Sequence, residues 1–155
     1  MDAHTLQWTM REAGVPDLES IMAIESVVFA HDAWSTEAMR SELGSAHTYY
    51  LVVESDGAVI GYSGLLAPQR SSQADIQTIA VTASARRSGI GRALMAAMVA
   101  EAARRGAREM FLEVRADNPN AQALYEQLGF EQIAVRAGYY QPDDVDANVM
   151  KLVLQ

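Results

Sequence analysis

Ala74 to Gly106 reads ADIQTIAVTASARRSGIGRALMAAMVAEAARRG, and the rest of the chain is arranged around it. Its first part carries Ile76, Thr78, Ile79 and Val81 in a β-branched, alternating run that predicts a strand. A short polar connection leads to two arginines, to Ser88-Gly89-Ile90-Gly91, and then to a strongly helical segment that stops at Gly106. A strand feeding a helix through close-set glycines suggests an anion site. The first N–H groups of a helix lack internal partners, and the helix dipole adds partial positive charge there. Glycine lets a phosphate approach that bare backbone. Arg86, Arg87 and Arg92 add formal charge at the same end. The plainer reading of the glycines is a helix start that needs a flexible backbone.

Three phosphate-binding loops share this outline. A Walker loop requires G-x-x-x-x-G-K-[ST], and here Arg92 follows the last glycine. A Rossmann fingerprint requires G-x-G-x-x-G directly after a strand. In this chain Leu94 takes the third glycine's place, and Thr82 to Ser88 intervene after Val81. Glu113 on the next strand could still imitate the ribose-binding acid of that motif. The remaining pattern is Arg/Gln-x-x-Gly-x-Gly/Ala, which Arg86-Arg87-Ser88-Gly89-Ile90-Gly91 satisfies in full. The loop thus resembles the pyrophosphate loop of the GNAT family of acetyltransferases.

A length of 155 residues favours one domain, 1–155. A chain of that size buries roughly 68–70% of its unfolded surface, enough for one substantial core. Hydrophobic residues make up 50% and charged ones 21%, which is ordinary globular usage. The chain has no cysteine, so disulfides, thiolate metal sites and cysteine nucleophiles are excluded. His4, His31 and His47 form no metal-ligand spacing and read as surface or loop positions. Arg92 and Glu101 interrupt the apolar run of the central helix, and no segment approaches the ~20 apolar residues that span a bilayer. The opening MDAHTLQW is acidic and shows no signal-peptide pattern, so a cytoplasmic protein is expected. A net charge of −8 argues against general nucleic-acid binding. It suits simple solubility or a cationic protein or peptide partner.

Taken in order, Leu6 to Arg11 reads as a first strand, and Pro16-Asp17 opens a helix. Leu18, Ile21, Met22, Val28 and Phe29 follow helical spacing. Glu25 falls at or near that apolar stripe, either flanking it and reaching solvent or touching substrate. Trp34 reads as a core or groove-wall residue, and Ser35 as the N-cap of a short helix to Leu43. Thr48–Glu54 and Val59–Leu66 are strands joined through Ser55-Asp56-Gly57, a hairpin signal. The helix from Gly89 carries Ile90, Leu94, Met98 and Ala102 on one stripe, with Gly106 as its stop. Glu109 to Arg115 is a strand, and Asn118-Pro119 starts a helix that ends at Leu128-Gly129. Phe130–Arg136 and Ala147–Leu154 are the last strands, separated by a loop around Tyr139-Tyr140-Gln141-Pro142. The pattern predicts mixed α/β layers.

A second chemical stretch is Phe111 to Phe130, FLEVRADNPNAQALYEQLGF. Glu113 points opposite to Leu112 and Val114, as a solvated face residue or a catalytic acid. Asn118 is an N-cap or a ligand contact. Tyr125 is a packed ring with a polar tip or a proton donor. Together these residues resemble the other half of the GNAT pattern, and LEVRADN with ALYEQLGF and Gly138-Tyr139-Tyr140 looks like its RimI-type N-terminal acetyltransferases. The resemblance implies an α+β fold with a mixed sheet of about seven strands and about four helices. It implies acetyl-CoA as donor, Glu113 as general base and Tyr125 as general acid. It places Ile79, Ala80 and Val81 along the pantetheine arm and Arg86 to Arg92 on the pyrophosphate. Asn118 falls on the cofactor arm, and Tyr139, Tyr140, Trp34 and Glu25 border the acceptor. No metal is implied. One departure is Ala33, where many relatives carry proline before the tryptophan.

The chemistry expected is direct transfer to an amine that first loses a proton to Glu113, directly or through water. Leu112 and Val114 are the apolar neighbours expected to raise the basicity of that carboxylate. A peptide α-amine titrates roughly 2.5 units below a lysine, so neutralising lysine costs ~3.4 kcal/mol more and a lone glutamate suits an N-terminus better. A strand N–H, that of Val81, is placed to hold the developing oxyanion. The resemblance implies the N-terminal alanine of a basic small-subunit ribosomal protein as partner. A small amine or a lysine, or a CoA-binding role without transfer, stays open.

Overall fold

The computed structural model describes residues 6–154 and is built on one seven-stranded sheet. In chain order the strands are β1 (Thr9–Glu12), β2 (Thr48–Ser55), β3 (Ala58–Leu66), β4 (Gln73–Val81), β5 (Glu109–Arg115), β6 (Glu131–Tyr140) and β7 (Val145–Val153). The helices are α1 (Leu18–Phe29), α2 (Thr36–Leu43), α3 (Ile90–Arg104) and α4 (Pro119–Gln127). The sheet order is β1-β2-β3-β4-β5-β7-β6, and all neighbours are antiparallel except β4 and β5. His4 lies outside the described residues.

Alternation along the strands separates two cores. Leu51 and Val53 of β2 join Leu65 and the buried face of α3 (Ile90, Leu94, Met95, Met98, Ala102). Tyr50 and Val52 point the other way, to Leu18, Ile21 and Ile24 of α1 and Met39 of α2. The helical stripe expected for α3 is thus its buried face. Asp56 and Gly57 both adopt positive φ (51° and 78°), the two-residue hairpin geometry that suits the twist of the flanking strands. Ser35 caps α2 by accepting the Ala38 N–H at 3.1 Å, as its position predicts.

Three departures from the expected boundaries have physical causes. The first strand is Thr9–Glu12 rather than Leu6–Arg11, because its ladder to β2 starts only at Thr9↔Glu54. Pro16-Asp17 lies in a 3-10 turn, Val15–Asp17, ahead of α1. β6 continues through Tyr139 and Tyr140, which had read as loop, and the tip is confined to 141–144. Register shifts at Gln132/Ala134 and Arg136/Tyr140 break the alternation that marks a strand. Gly138 (φ 60°) lies in the second shift, and its N–H donates to Asp146 Oδ1 at 2.9 Å.

A further bulge explains the uneven pattern of β4. Leu65 pairs with Ile76 and Gly64 with Thr78, so Gln77 is skipped. Ala74 and Ile76 face the α3 core, and after the bulge Ile79 and Val81 do so while Ala80 faces α1. Gln77 is held where it bulges: its side chain accepts from the Tyr50 hydroxyl at 2.7 Å and donates to Glu42 of α2 at 2.7 Å.

Candidate active site

The parallel ladder between β4 and β5 is short. It consists of Gln73↔Glu109, Ala74↔Met110 and Asp75↔Phe111. Beyond it β4 stays paired to β3 through Gly61↔Val81, and β5 stays paired to β7 through Arg115↔Ala147. Ile79, Ala80 and Val81 therefore have a strand on one side only, and a wedge opens between the two halves of the sheet. Parallel strands that separate in this way leave backbone donors and acceptors without a ladder partner.

The wide end of the wedge leads to the predicted anion loop. Arg87 and Gly89 take positive φ (66° and 82°), which turns successive N–H groups inward. A Cβ on Gly89 would meet nothing within 4 Å, so the glycine answers to its backbone angle and not to crowding. The first α3 donor with a partner is Ala93, bonded to Gly89 O at 3.0 Å. The N–H groups of Ile90, Gly91 and Arg92 have no protein partner among the described residues. The side chains here behave unevenly. Arg86 Nε donates to Val81 O at 3.3 Å, the Ser88 hydroxyl donates to Ala85 O, and Arg92 turns away to Gln127 of α4. Asn118 caps α4, its Oδ1 accepting from the Ala121 N–H at 3.2 Å.

Glu113 and Tyr125 sit on the two faces of the sheet. Tyr125 is buried with Leu112 and Val114 in the α3 core, edge-on to Phe130 at 6.1 Å between ring centroids. Burial alone pushes its phenol up to about 12, which keeps it protonated at neutral pH. Glu113 faces the α1 side, where Arg136 Nε pairs with its Oε2 at 2.8 Å. Leu112 and Val114, expected to desolvate Glu113, instead point into the opposite core, because neighbouring strand residues alternate. No hydrogen bond joins Glu113 and Tyr125 among the described residues. The wedge is the opening between their two faces.

Glu25 corrects its sequence reading. It neither reaches solvent nor offers itself to a ligand: it is 1% exposed, with each oxygen engaged. Its Oε1 accepts from the Tyr62 and Thr78 hydroxyls, the latter at 3.0 Å, and its Oε2 accepts from the Trp34 N–H at 3.0 Å. The apolar stripe of α1 dips into the second core, where donors from β3, β4 and the following loop converge on the acid. Burial, with the Glu25 charge beside it, holds the Tyr62 phenol well above its ordinary range. Trp34 itself is half-buried against that core. Ala33 has φ −63° and ψ 141°, the conformation a proline would impose, so the departure from proline leaves the local path unchanged.

Tyr139 and Tyr140 stack edge-on at 5.1 Å, with Arg136 over the first ring at 5.4 Å and Arg115 over the second at 5.2 Å. Burial, then the Glu113 charge, pushes the Tyr140 phenol up to about 12. Sequence reasoning missed Arg115, which binds Asp32, Asp117 and Asp143, and Arg136, which masks Glu113. It also missed Asp75, at the apex of the wedge on the Glu113 face. Part of Asp75 is open to solvent, yet partial burial and then the Glu113 charge raise its carboxyl above the ordinary value. Period-two spacing from Glu113 was a signal for Arg115, since both share one face. A cavity of about 680 Å³ between α1 and the β2–β3 hairpin is not lined by Glu113, Tyr125, Trp34, Tyr139 or Tyr140, although Thr82 and Arg86 bring it to the back of the predicted anion loop. No helix among the described residues is long and apolar enough to cross a membrane.

Comparison with known proteins gives concordant results. The model of the Acetyltransferase (GNAT) family matches residues 16–130. An N-alpha-acetyltransferase RimI of Mycobacterium tuberculosis is 32% identical over 97% of this chain and 96% of its own. The crystal structure of the ribosomal-protein-S18-alanine N-acetyltransferase from Escherichia coli superposes with a TM-score of 0.85 at 30% identity, covering 96% of this chain and 95% of that one. The fold is also that of Arabidopsis thaliana NAA60, solved in complex with acetyl-CoA (TM-score 0.84, 19% identity, covering 96% and 99%).

Proposed function

The chain belongs to the acetyltransferase (GNAT) family and is an acetyl-CoA-dependent N-acetyltransferase, and from that premise we propose that its acceptor is the α-amine of a protein N-terminus. The N-terminal alanine of a small-subunit ribosomal protein is the favoured acceptor, by similarity to relatives named for it. One observation carries the reading. The wedge leads from three free α3 amides to an opening flanked by a carboxylate on one face and a protonated phenol on the other.

The residues fit the donor. The amides of Ile90, Gly91 and Arg92 and the left-handed turns at Arg87 and Gly89 suit a diphosphate. The unpaired edge of Ile79–Val81 suits the amides of a pantetheine arm. Acetyl-CoA supplies the acyl group as a thioester. Glu113 accepts the amine's proton, directly or through water, once Arg136, which is 60% exposed, swings aside. The amine nitrogen bonds to the acyl carbon as the carbon–sulfur bond breaks. The Val81 N–H stabilises the charge gathering on the acyl oxygen, and Tyr125 gives its own proton to the departing sulfur, its phenolate regaining one from water before the next turnover. Glu113, Asp32, Asp117 and Asp143 leave the mouth with more carboxylates than Arg115 and Arg136 neutralise, in keeping with a basic acceptor.

The test offers the purified protein acetyl-CoA with a peptide bearing the ribosomal alanine terminus, the same peptide with its α-amine blocked, and polyamines. Intact mass spectrometry should find one acetyl group on the free-terminus peptide alone. Turnover confined to polyamines, or to lysine in the blocked peptide, overturns the assignment.

A further inference from the structure

Arg115 closes β5 two residues beyond Glu113, on the same face of the strand. Its guanidinium joins a neighbouring carboxylate to two chain-distant segments. Nε and Nη2 grip the Asp117 carboxylate at 3.0 Å each, Nη1 donates to Asp32 Oδ2 at 2.6 Å, and Nη2 donates to Asp143 Oδ2 at 3.2 Å. Its Cζ lies 5.2 Å over the Tyr140 ring. Asp32 is two residues before Trp34, and Asp143 is in the tip that follows Tyr139-Tyr140. Among the described residues no other ion pair touches 30–35 or 138–144; Arg136, just before the latter, pairs with Glu113.

We propose that Arg115 is a positioning residue that sets the width of the acceptor groove by strapping the Trp34 loop to the Tyr139–Tyr140 hairpin. The inference rests on the N-terminal acetyltransferase reading and adds the residue that fixes the acceptor's seat. Geometry supports a strap over a decorative surface pair. The fork to Asp117 is local and holds the guanidinium in plane, which leaves further N–H groups aimed outward at the two walls. Arg115 and Asp32 are largely sheltered, at 24% and 14% side-chain exposure, so solvent screens this arm least. The Asp143 arm is 48% exposed and is the one that releases more readily. Glu25 holds the same Trp34 loop from beneath by accepting the Trp34 N–H at 3.0 Å, so the loop has one anchor in the core and one at Arg115. A lysine cannot replace the arrangement, because a single ammonium cannot hold a fork and bridge two walls.

The experiment combines hydrogen exchange and kinetics on the full chain, comparing wild type with Arg115→Gln, Arg115→Lys and Asp143→Asn. Exchange should accelerate together in 30–35 and 138–144 in both Arg115 variants, and in 138–144 alone in Asp143→Asn. Exchange in α3 should not change. Acceptor kcat/KM should fall about 10²-fold in Arg115→Gln, mostly through KM, because a displacement of about an ångström has that effect. The KM for acetyl-CoA should be unchanged. An unaltered acceptor KM, or acceleration spread over the whole chain with both KM values rising alike, overturns the proposal. If the wild type acetylates only polyamines, the N-terminal reading fails, while coordinated exchange in the two walls still decides whether the strap exists.

Discussion

The two ends of the wedge are built from different materials. At the anion end the free backbone amides of Ile90, Gly91 and Arg92 take their direction from the left-handed φ angles at Arg87 and Gly89 and from the start of α3. At the acceptor end the groove is assembled from 32–34, 113–117 and 136–144, held by side-chain ion pairs and stacked rings. Backbone donors tolerate most side-chain changes, apart from those at the glycine. An ion-paired mouth depends on each partner's identity and is weakened by salt where it is exposed. On the proposed reading, donor recognition is therefore the fixed half of the site, and acceptor recognition the adjustable half.

Substitutions that strike one end and spare the other test this contrast. The largest effect belongs to Glu113→Gln, which should lower kcat by about 10²–10⁴-fold while leaving acetyl-CoA affinity intact, as read by steady-state kinetics and calorimetry. A matching loss of donor affinity would mean that the two ends are not separable. Tyr125 lies between them and gives a pH signature. Its phenol titrates near 10.0 in the unfolded chain and about 12 when folded. The folded value is the higher one, so burial's contribution, about 2–3 kcal/mol, is fully present below the unfolded value and is lost as pH climbs through the folded one. Melting temperatures should fall more steeply across that alkaline range in wild type than in Tyr125→Phe.

Gly89→Val strikes the opposite end. A β-branched residue at φ 82° strains the turn by about 1–2 kcal/mol, and acetyl-CoA should bind about 10-fold more weakly with the acceptor KM unchanged. Unchanged donor binding would remove the anion loop from the account. The smallest effect is expected for Ala33→Pro. The backbone angle already suits proline, and the lost Ala33 N–H to Ala30 O bond is long at 3.2 Å. Stability should move by less than about 1 kcal/mol, with acceptor KM unaltered.

The same contrast decides what could be read from the residues alone. The Gly89 turn into α3, the Ser35 and Asn118 caps and the Asp56-Gly57 turn depend on neighbours in sequence, and each appears where local chemistry puts it. Glu113 and Tyr125 lie close in the chain, and their faces follow from strand and helix periodicity. The misreading of Glu25 and the omission of Arg115 arise from partners far away, whereas that of Leu112 and Val114 overlooked local strand alternation. Glu25 looked like a flank because nothing near it announces Tyr62 or Thr78, which are 37 and 53 residues distant. Arg115 went unassigned because Asp32 is 83 residues away. The bulges at Gln77 and in β6 hid strand phase, since one extra residue inverts every later side chain.

Among the described residues only three rungs bind the two rafts of the sheet directly, from Gln73↔Glu109 to Asp75↔Phe111. A donor laid in the cleft would act as mortar between them, its amides taking the place of the missing crossbars. Occupancy would then be a matter of mechanical unity as well as chemistry. The empty protein should breathe along this seam, and the loaded one should melt as a single piece. An acceptor that arrives after the donor would therefore meet a stiffened surface, which gives a physical reason for ordered addition.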